Sequence, residues 1–306
     1  MGAKPHSKTS LYFDVPPRFA RLNESRFVIL PAPYERTTSY LKGCAKGPQA
    51  ILEASTQVEL FEPDVGIEPY LCGIHTAPAV RFGKGGEAAE LDRIRKAAEP
   101  FVDAGKFLIT LGGEHSITAP LAKLFAEKFH NLTVLHVDAH PDLRNTYQGS
   151  PFSHACVGRR VLEHAHMVQV GVRSWCIEQD EFMKKAARKK IKGRLMLRVF
   201  PAWDIVGRRG WQRKVVEGLS ENVYLTFDLD GLDPSVIPAV GTPEPGGLGW
   251  QETIDLLKQV IQHRNLVGMD MVELKPIPGQ VQSDMAAARL LHHIIAYQVR
   301  RLKLKG

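Results

Sequence analysis

The chain has 306 residues, 44% of them hydrophobic, a formal net charge of +7 and four cysteines. That length and apolar content can bury a large core and exclude a disordered chain. No long uncharged apolar run and no apolar leader core is seen, so neither a membrane helix nor a signal peptide is expected, and Cys44, Cys72, Cys156 and Cys176 show no paired spacing; a cytoplasmic protein without a disulfide framework is expected.

In chain order, residues 26–35 begin as a strand, and 47–55 read as a helix with Pro48 near its start. Residues 107–113 (FLITLGG) form a buried strand ending in glycines, and 116–129 a helix that Ser116 can cap. Residues 131–138 give the next strand. Strands follow at 166–173, 195–200 and 222–230, with helices at 178–190 and 210–219 between them. An amphipathic helix at 250–263, a strand at 265–274 and a helix at 283–302 close the chain. This alternation predicts an α/β fold, a mainly parallel sheet covered by helices, in one domain. The least regular stretches, 139–156 and 230–249, are rich in Gly, Pro and polar residues, and long loops in compact domains often carry function.

The strand ends hold unusual polar residues. Glu114-His115 follows the strand at 107–113. Asp138, His140 and Asp142 follow the strand "NLTVLHV", each one residue apart, and Asp228 and Asp230 follow "NVYLTF". Asp270 and Glu273 lie in "NLVGMDMVEL"; Asp270, opposite in face to Met269 and Met271, reads as a structural hydrogen-bonding residue. Strand side chains alternate, so Asp138, His140 and, in an extended chain, Asp142 share a face. Sites in parallel α/β sheets form where the strands end. Collected there, His115, Asp138, His140, Asp142, Asp228 and Asp230 supply four carboxylates and two imidazoles. Burying four negative charges demands cations, and two divalent ions balance them. A thiol-free, carboxylate-rich set favours Mn²⁺-type ions and leaves Co²⁺, Ni²⁺ and Fe²⁺ open.

The segments "LGGEHSIT", "HVDAHPDLR", "SHACVGRR", "TFDLDGLDPSVIPAVGTPEPGGL" and "GMDMVELKP" together resemble the ureohydrolase family of arginases, agmatinases and their relatives. The likeness runs over roughly residues 26–300, leaving 1–25 as an N-terminal extension of a single domain, 1–306. It implies a three-layer α/β/α sandwich, a dinuclear centre, usually manganese, and a homotrimer or homohexamer. On this likeness His115, Asp138, Asp142 and Asp228 hold one ion. His140, Asp138, Asp228 and Asp230 hold the other. Glu273 binds a guanidinium, Thr242 lies near it, and His154 shuttles protons.

The implied reaction hydrolyses a guanidinium to urea and an amine. The metals supply a nucleophilic water at neutral pH, and Glu273 fixes the cation with charge-assisted hydrogen bonds. The leaving amine needs a proton, which Asp142 is placed to give. The motif context favours agmatine, giving urea and putrescine. 4-Guanidinobutyrate, N1-aminopropylagmatine and arginine are the alternatives. The loop after Asp142 offers no carboxylate for a distal ammonium. Its Arg144 either reads the substrate tail or sits in a structural ion pair, and the ion pair is the expectation. A basic nucleic-acid-binding protein is the non-enzymatic alternative. The basic runs at 184–194 and 300–306 read instead as a solvated helix face and a tail, without a recognition motif.

Overall fold

Buried apolar runs of five to eight residues, bounded by Gly, Asp and Asn, pair as strands because both of their faces can be covered. The computed structural model describes residues 11–191, 193–304 and 306. Its strands are β1 (Phe27–Ala32), β2 (Ile74–Thr76), β3 (Phe107–Gly112), β4 (Thr133–Val137), β5 (His166–Val170), β6 (Lys190–Ile191), β7 (Arg194–Leu195), β8 (Leu197–Phe200), β9 (Asn222–Asp228) and β10 (Asn265–Val272). Its α-helices are α1 (Gly47–Ser55), α2 (Glu87–Asp103), α3 (Thr118–Lys128), α4 (Val157–Val161), α5 (Ile177–Ala186), α6 (Ala202–Ile205), α7 (Trp211–Gly218), α8 (Trp250–His263) and α9 (Gln282–Arg301).

Eight strands form one parallel sheet in the order β2-β1-β3-β10-β9-β4-β5-β8. Helices cover both faces, as the three-layer reading predicts. Residues of α1, α7, α8 and α9 pack into one apolar cluster, and residues of α2, α3, α4 and α5 into the other. Register decides what the sheet presents at its edge. Val137 pairs with Phe227 and Asp228 with Val272, so Asp138, Asp228 and Glu273 leave the sheet side by side. Among the described residues no helix is long and apolar enough to cross a membrane.

Several local expectations change. The helix at 116–129 begins at Thr118, after a 3₁₀ turn over His115–Ile117, and Ser116 does not cap it. The Ser116 hydroxyl instead donates to Glu114 at 2.6 Å. The helix at 178–190 stops at Ala186, because its last residues turn into the small antiparallel ribbon β6–β7. Residues 11–25 are not a loose extension. Tyr12 and Phe13 are buried against the core, with the Tyr12 hydroxyl donating to the Ala288 carbonyl at 3.2 Å. The first ten residues of that extension lie outside the described residues.

Candidate active site

The sheet edge gathers the six predicted ligands. His115 Nδ1 lies 3.0 Å from Asp138 Oδ2, 3.1 Å from Asp228 Oδ2 and 3.4 Å from Asp142 Oδ2. His140 Nδ1 lies 3.1 Å from Asp230 Oδ2 and 3.6 Å from Asp138 Oδ1. Asp138 therefore stands between two groups of ligand atoms, and Asp228 borders both: its Oδ1 accepts the Asp230 backbone N–H at 2.9 Å. Asp142 does not continue an extended strand. It turns through a left-handed conformation, φ 51°, as does Glu273 at φ 68°. Non-glycine residues rarely adopt this region, and strain of ~1–3 kcal/mol held by surrounding structure is common at functional sites.

Small residues let the loops close in. A Cβ on Gly113 would stand 2.1 Å from the Tyr34 carbonyl oxygen, and one on Gly231 would stand 2.9 Å from the Asp138 backbone nitrogen. Any larger side chain at these positions would force the Tyr34 or Asp138 backbone apart from it.

Hydrogen bonds behind the ligands fix which atoms are free. Asp270 is the structural residue that strand alternation suggests: it accepts from Tyr224 (2.7 Å), Thr226 (2.6 Å) and Thr118 (3.0 Å). Because the Thr226 hydroxyl donates to Asp270, it accepts from His115 Nε2, 2.9 Å away. Nδ1 of His115 is then left as a bare lone pair aimed at three carboxylates, and it has no hydrogen-bond partner.

His136 was not among the predicted residues, although it shares the face of Asp138 and His140 by the same alternation. Its Nε2 lies 2.8 Å from Asp138 Oδ2, while Gln169 donates to its Nδ1 at 2.8 Å and to the Pro141 carbonyl at 2.7 Å. In the neutral ring Nε2 must carry the hydrogen, so His136 supports Asp138 rather than ligating beside it.

These atoms fit divalent cations. Buried His115 Nδ1 is left without a hydrogen-bond partner, and the donor set is rich in carboxylate oxygen. Without cations, protons do the balancing. Burial opposes charge on His115, but its contacts to Asp138, Asp142 and Asp228 win and hold the imidazole well above its ordinary range. Burial likewise opposes charge on His140, and Asp230 and Asp138 overcome it, pushing it up to about 12. Burial and the neighbouring Asp230 and Asp138 raise the Asp228 carboxyl.

The same cavity continues outward, about 390 Å³ in volume, from Asp142, Asp230 and Glu273 to Arg144, Trp175 and Gln179. Glu273 Oε1 accepts the His115 backbone N–H at 2.7 Å, and Oε2 has no hydrogen bond among the described residues. Burial and Glu114 raise the Glu273 carboxyl well above the usual range. Thr242 reaches Asp230 Oδ2 at 3.5 Å. His154 lines the cavity; its backbone N–H donates to the Thr37 hydroxyl at 3.0 Å, and its Nδ1 lies 3.2 Å from that oxygen. Thr37 in turn donates to Glu114 at 2.7 Å, and Glu114 also holds the Thr37 backbone N–H at 2.6 Å. The roles of Thr37 and Glu114 were not legible, since only the fold brings residues 37, 114 and 154 together.

Arg144 corrects the ion-pair expectation. It makes no ion pair among the described residues. Its loop carries no carboxylate, and its guanidinium lies 4.9 Å from the centre of the Tyr147 ring, on the cavity wall.

A sequence model of the arginase family matches residues 25–296. The chain belongs to the arginase family. Within it, the chain is 41% identical over 277 residues to an N(1)-aminopropylagmatine ureohydrolase of Thermus thermophilus, covering 90% of this chain and 91% of that protein. It is 31% identical over 277 residues to an agmatinase of Bacillus anthracis, covering 89% and 91% of the two chains. Among solved structures, an agmatine ureohydrolase of Thermoplasma volcanium superposes with a TM-score of 0.83 at 28% identity, covering 97% of this chain and 96% of that one. This arginase-family chain is thus a ureohydrolase, acting on the C–N bonds of a guanidino group.

Proposed function

We propose that the chain hydrolyses N1-aminopropylagmatine to urea and the corresponding triamine, using two manganese ions held by His115, Asp138, His140, Asp142, Asp228 and Asp230. The observation that carries this reading is the single cavity that joins a carboxylate-rich floor to an aromatic mouth. The more similar relatives, which carry that activity in their name, support the longer tail. Agmatine, giving urea and putrescine, is the second reading. The agmatinase-like motif context and the Thermoplasma volcanium structure favour it.

When bound, two divalent ions supply a water made nucleophilic at neutral pH and an electrophilic anchor for developing negative charge. The protein's own residues do the rest. Glu273 Oε2 takes the guanidinium, and a bound cation restores the charge balance that burial denies this carboxyl. Asp142 delivers a proton to the departing nitrogen, which otherwise could not leave. His154 exchanges that proton with solvent. Its Nδ1 contact with Thr37, whose own hydrogen is committed to Glu114, leaves Nε2 to carry the exchange. Further out, the cavity lining beyond Asp230 and Glu273 holds no carboxylate, so an alkylammonium tail meets the faces of Tyr40, Tyr147 and Trp175. A trimer or hexamer is proposed on the family likeness alone.

The test is a urea-release panel on manganese-loaded protein with N1-aminopropylagmatine, agmatine, arginine and 4-guanidinobutyrate. The highest kcat/KM is expected for N1-aminopropylagmatine, then agmatine. A preference for arginine or 4-guanidinobutyrate overturns the reading.

A further inference from the structure

We infer that Arg173 is a positioning residue for the second cation site, the one formed by His140, Asp138, Asp228 and Asp230, and not for the first. Arg173 is a guanidinium near the buried carboxylates of Asp230 and Asp138 and the part-buried ones of Asp233 and Glu244, yet it pairs with none of them among the described residues. All its donors go to main-chain carbonyls. Nη2 donates to the carbonyls of Asp230 (2.7 Å), Glu244 (2.7 Å) and Leu232 (3.2 Å). Nη1 donates to those of Gly171 (3.0 Å) and Gly231 (3.3 Å), and Nε to that of Glu244 (3.2 Å). Its backbone N–H donates to the Ala139 carbonyl at 2.7 Å.

These contacts join the loops that build one half of the centre. Asp230 is itself a ligand, and Ala139 lies between the ligands Asp138 and His140. The Ala139 N–H in turn donates to Asp230 Oδ1 at 3.0 Å. Glu244 brings in the loop that carries Thr242, and its carboxylate stands 3.8 Å from His140 Nε2. None of the six side-chain contacts falls on His115 or Asp142, the two ligands that belong to the first site alone. His115 is oriented instead by Thr226 and Asp270, and its backbone is held by Glu273.

A guanidinium suits this place for two reasons. Its planar fork presents five N–H groups in fixed directions, so one side chain can satisfy carbonyls of Gly171 and of the 230–249 stretch that no regular structure would pair. Its charge also persists beside the carboxylates whether or not cations are bound. A lysine keeps the charge and loses the fork. A glutamine keeps part of the hydrogen bonding and loses the charge. Partners that orient ligands from behind typically contribute a factor of ~10–100 in metal affinity.

The inference rests on the two-ion reading but is tested apart from turnover. Mn²⁺ alone is titrated into metal-free parent, Arg173→Lys and Arg173→Gln by calorimetry and electron paramagnetic resonance. The parent is expected to take two ions per chain and show an exchange-coupled pair spectrum. In Arg173→Lys one step should lose about 10–100-fold in affinity while the other moves less than about threefold. The spectrum at one equivalent should then be that of an isolated ion. Thr226→Val should show the reverse, with the His115 side weakened first. Equal loss at both steps, or no loss at either, overturns the assignment. So does failure of both Arg173 variants to fold, judged by a cooperative melt, because the role would then be global. A parent that takes only one ion refutes the two-ion reading itself, which is a different result from two steps that fall together.

Discussion

The molecule holds two buried clusters of histidine and carboxylate, and they behave in opposite ways. At the sheet edge, His115 and His140 face Asp138, Asp142, Asp228 and Asp230, and both imidazoles are driven up in pKa. Under α9, Glu62 Oε2 is shared by His293 (3.0 Å), Arg289 (3.1 Å) and His292 (3.5 Å). There, burial first, and then the charges of Arg289 and His293, push His292 down to about 3, and burial lowers His293 too. Burial favours the neutral imidazole in both places. One carboxylate already claimed by an arginine does not overcome it, whereas several unclaimed carboxylates do. The first cluster is short of positive charge, whereas in the second a single carboxylate already faces Arg289 and two imidazoles.

The largest expected effect comes from removing Glu273, the carboxylate proposed to meet the substrate at the cation-demanding cluster. Glu273→Gln keeps the shape and the His115 contact but loses the charge. Charged hydrogen bonds contribute ~1.5–3 kcal/mol, so kcat/KM should fall by roughly 10- to 150-fold while two Mn²⁺ per chain are retained. Parental turnover in this variant would remove Glu273 from the guanidinium site.

The Glu62 cluster should show itself in acid instead. His292 has a folded pKa depressed to about 3 from an ordinary value near 6.5. Its neutral form therefore contributes stability that is complete above pH ~6.5 and is lost as pH falls toward 3, at up to ~1.4 kcal/mol per pH unit. Melting temperatures of metal-free parent and His292→Leu, followed from pH 7 to 4.5, should diverge, with the variant falling less. Parallel profiles would contradict the assignment.

A smaller effect is expected at Arg144. It opposes a cationic tail from the cavity wall, but it is partly exposed and engaged by Tyr147, so screening reduces its reach. Arg144→Gln should raise kcat/KM for agmatine several-fold and lower it for 4-guanidinobutyrate. A fall for agmatine would mean that Arg144 helps to bind the tail.

Much of the first cluster was legible because its ligands sit where buried strands end. The alternation that placed Asp138 and His140 on one face also covers His136, which could have been found the same way. Asp142 reaches the site for a different reason than alternation gives: it turns through a positive φ. The strand β2 is three residues long, and α2 carries Pro100 inside it, so neither gave a strong periodic signal. Arg173, Thr37 and the Glu62 cluster were illegible for a common physical reason. Their partners are main-chain carbonyls or residues 77 to more than 200 positions away, and only the folded sheet brings these together.

The claim beneath all of this is that the carboxylate excess at the sheet edge is a demand for two cations. The most direct measurement is anomalous diffraction at the manganese edge from crystals of the Mn²⁺-loaded protein. Two peaks per chain are predicted, ~3.5–4 Å apart, with Asp138 and Asp228 between them and none near Glu62. A single peak, or a peak among Glu62, His292 and His293, would contradict the account.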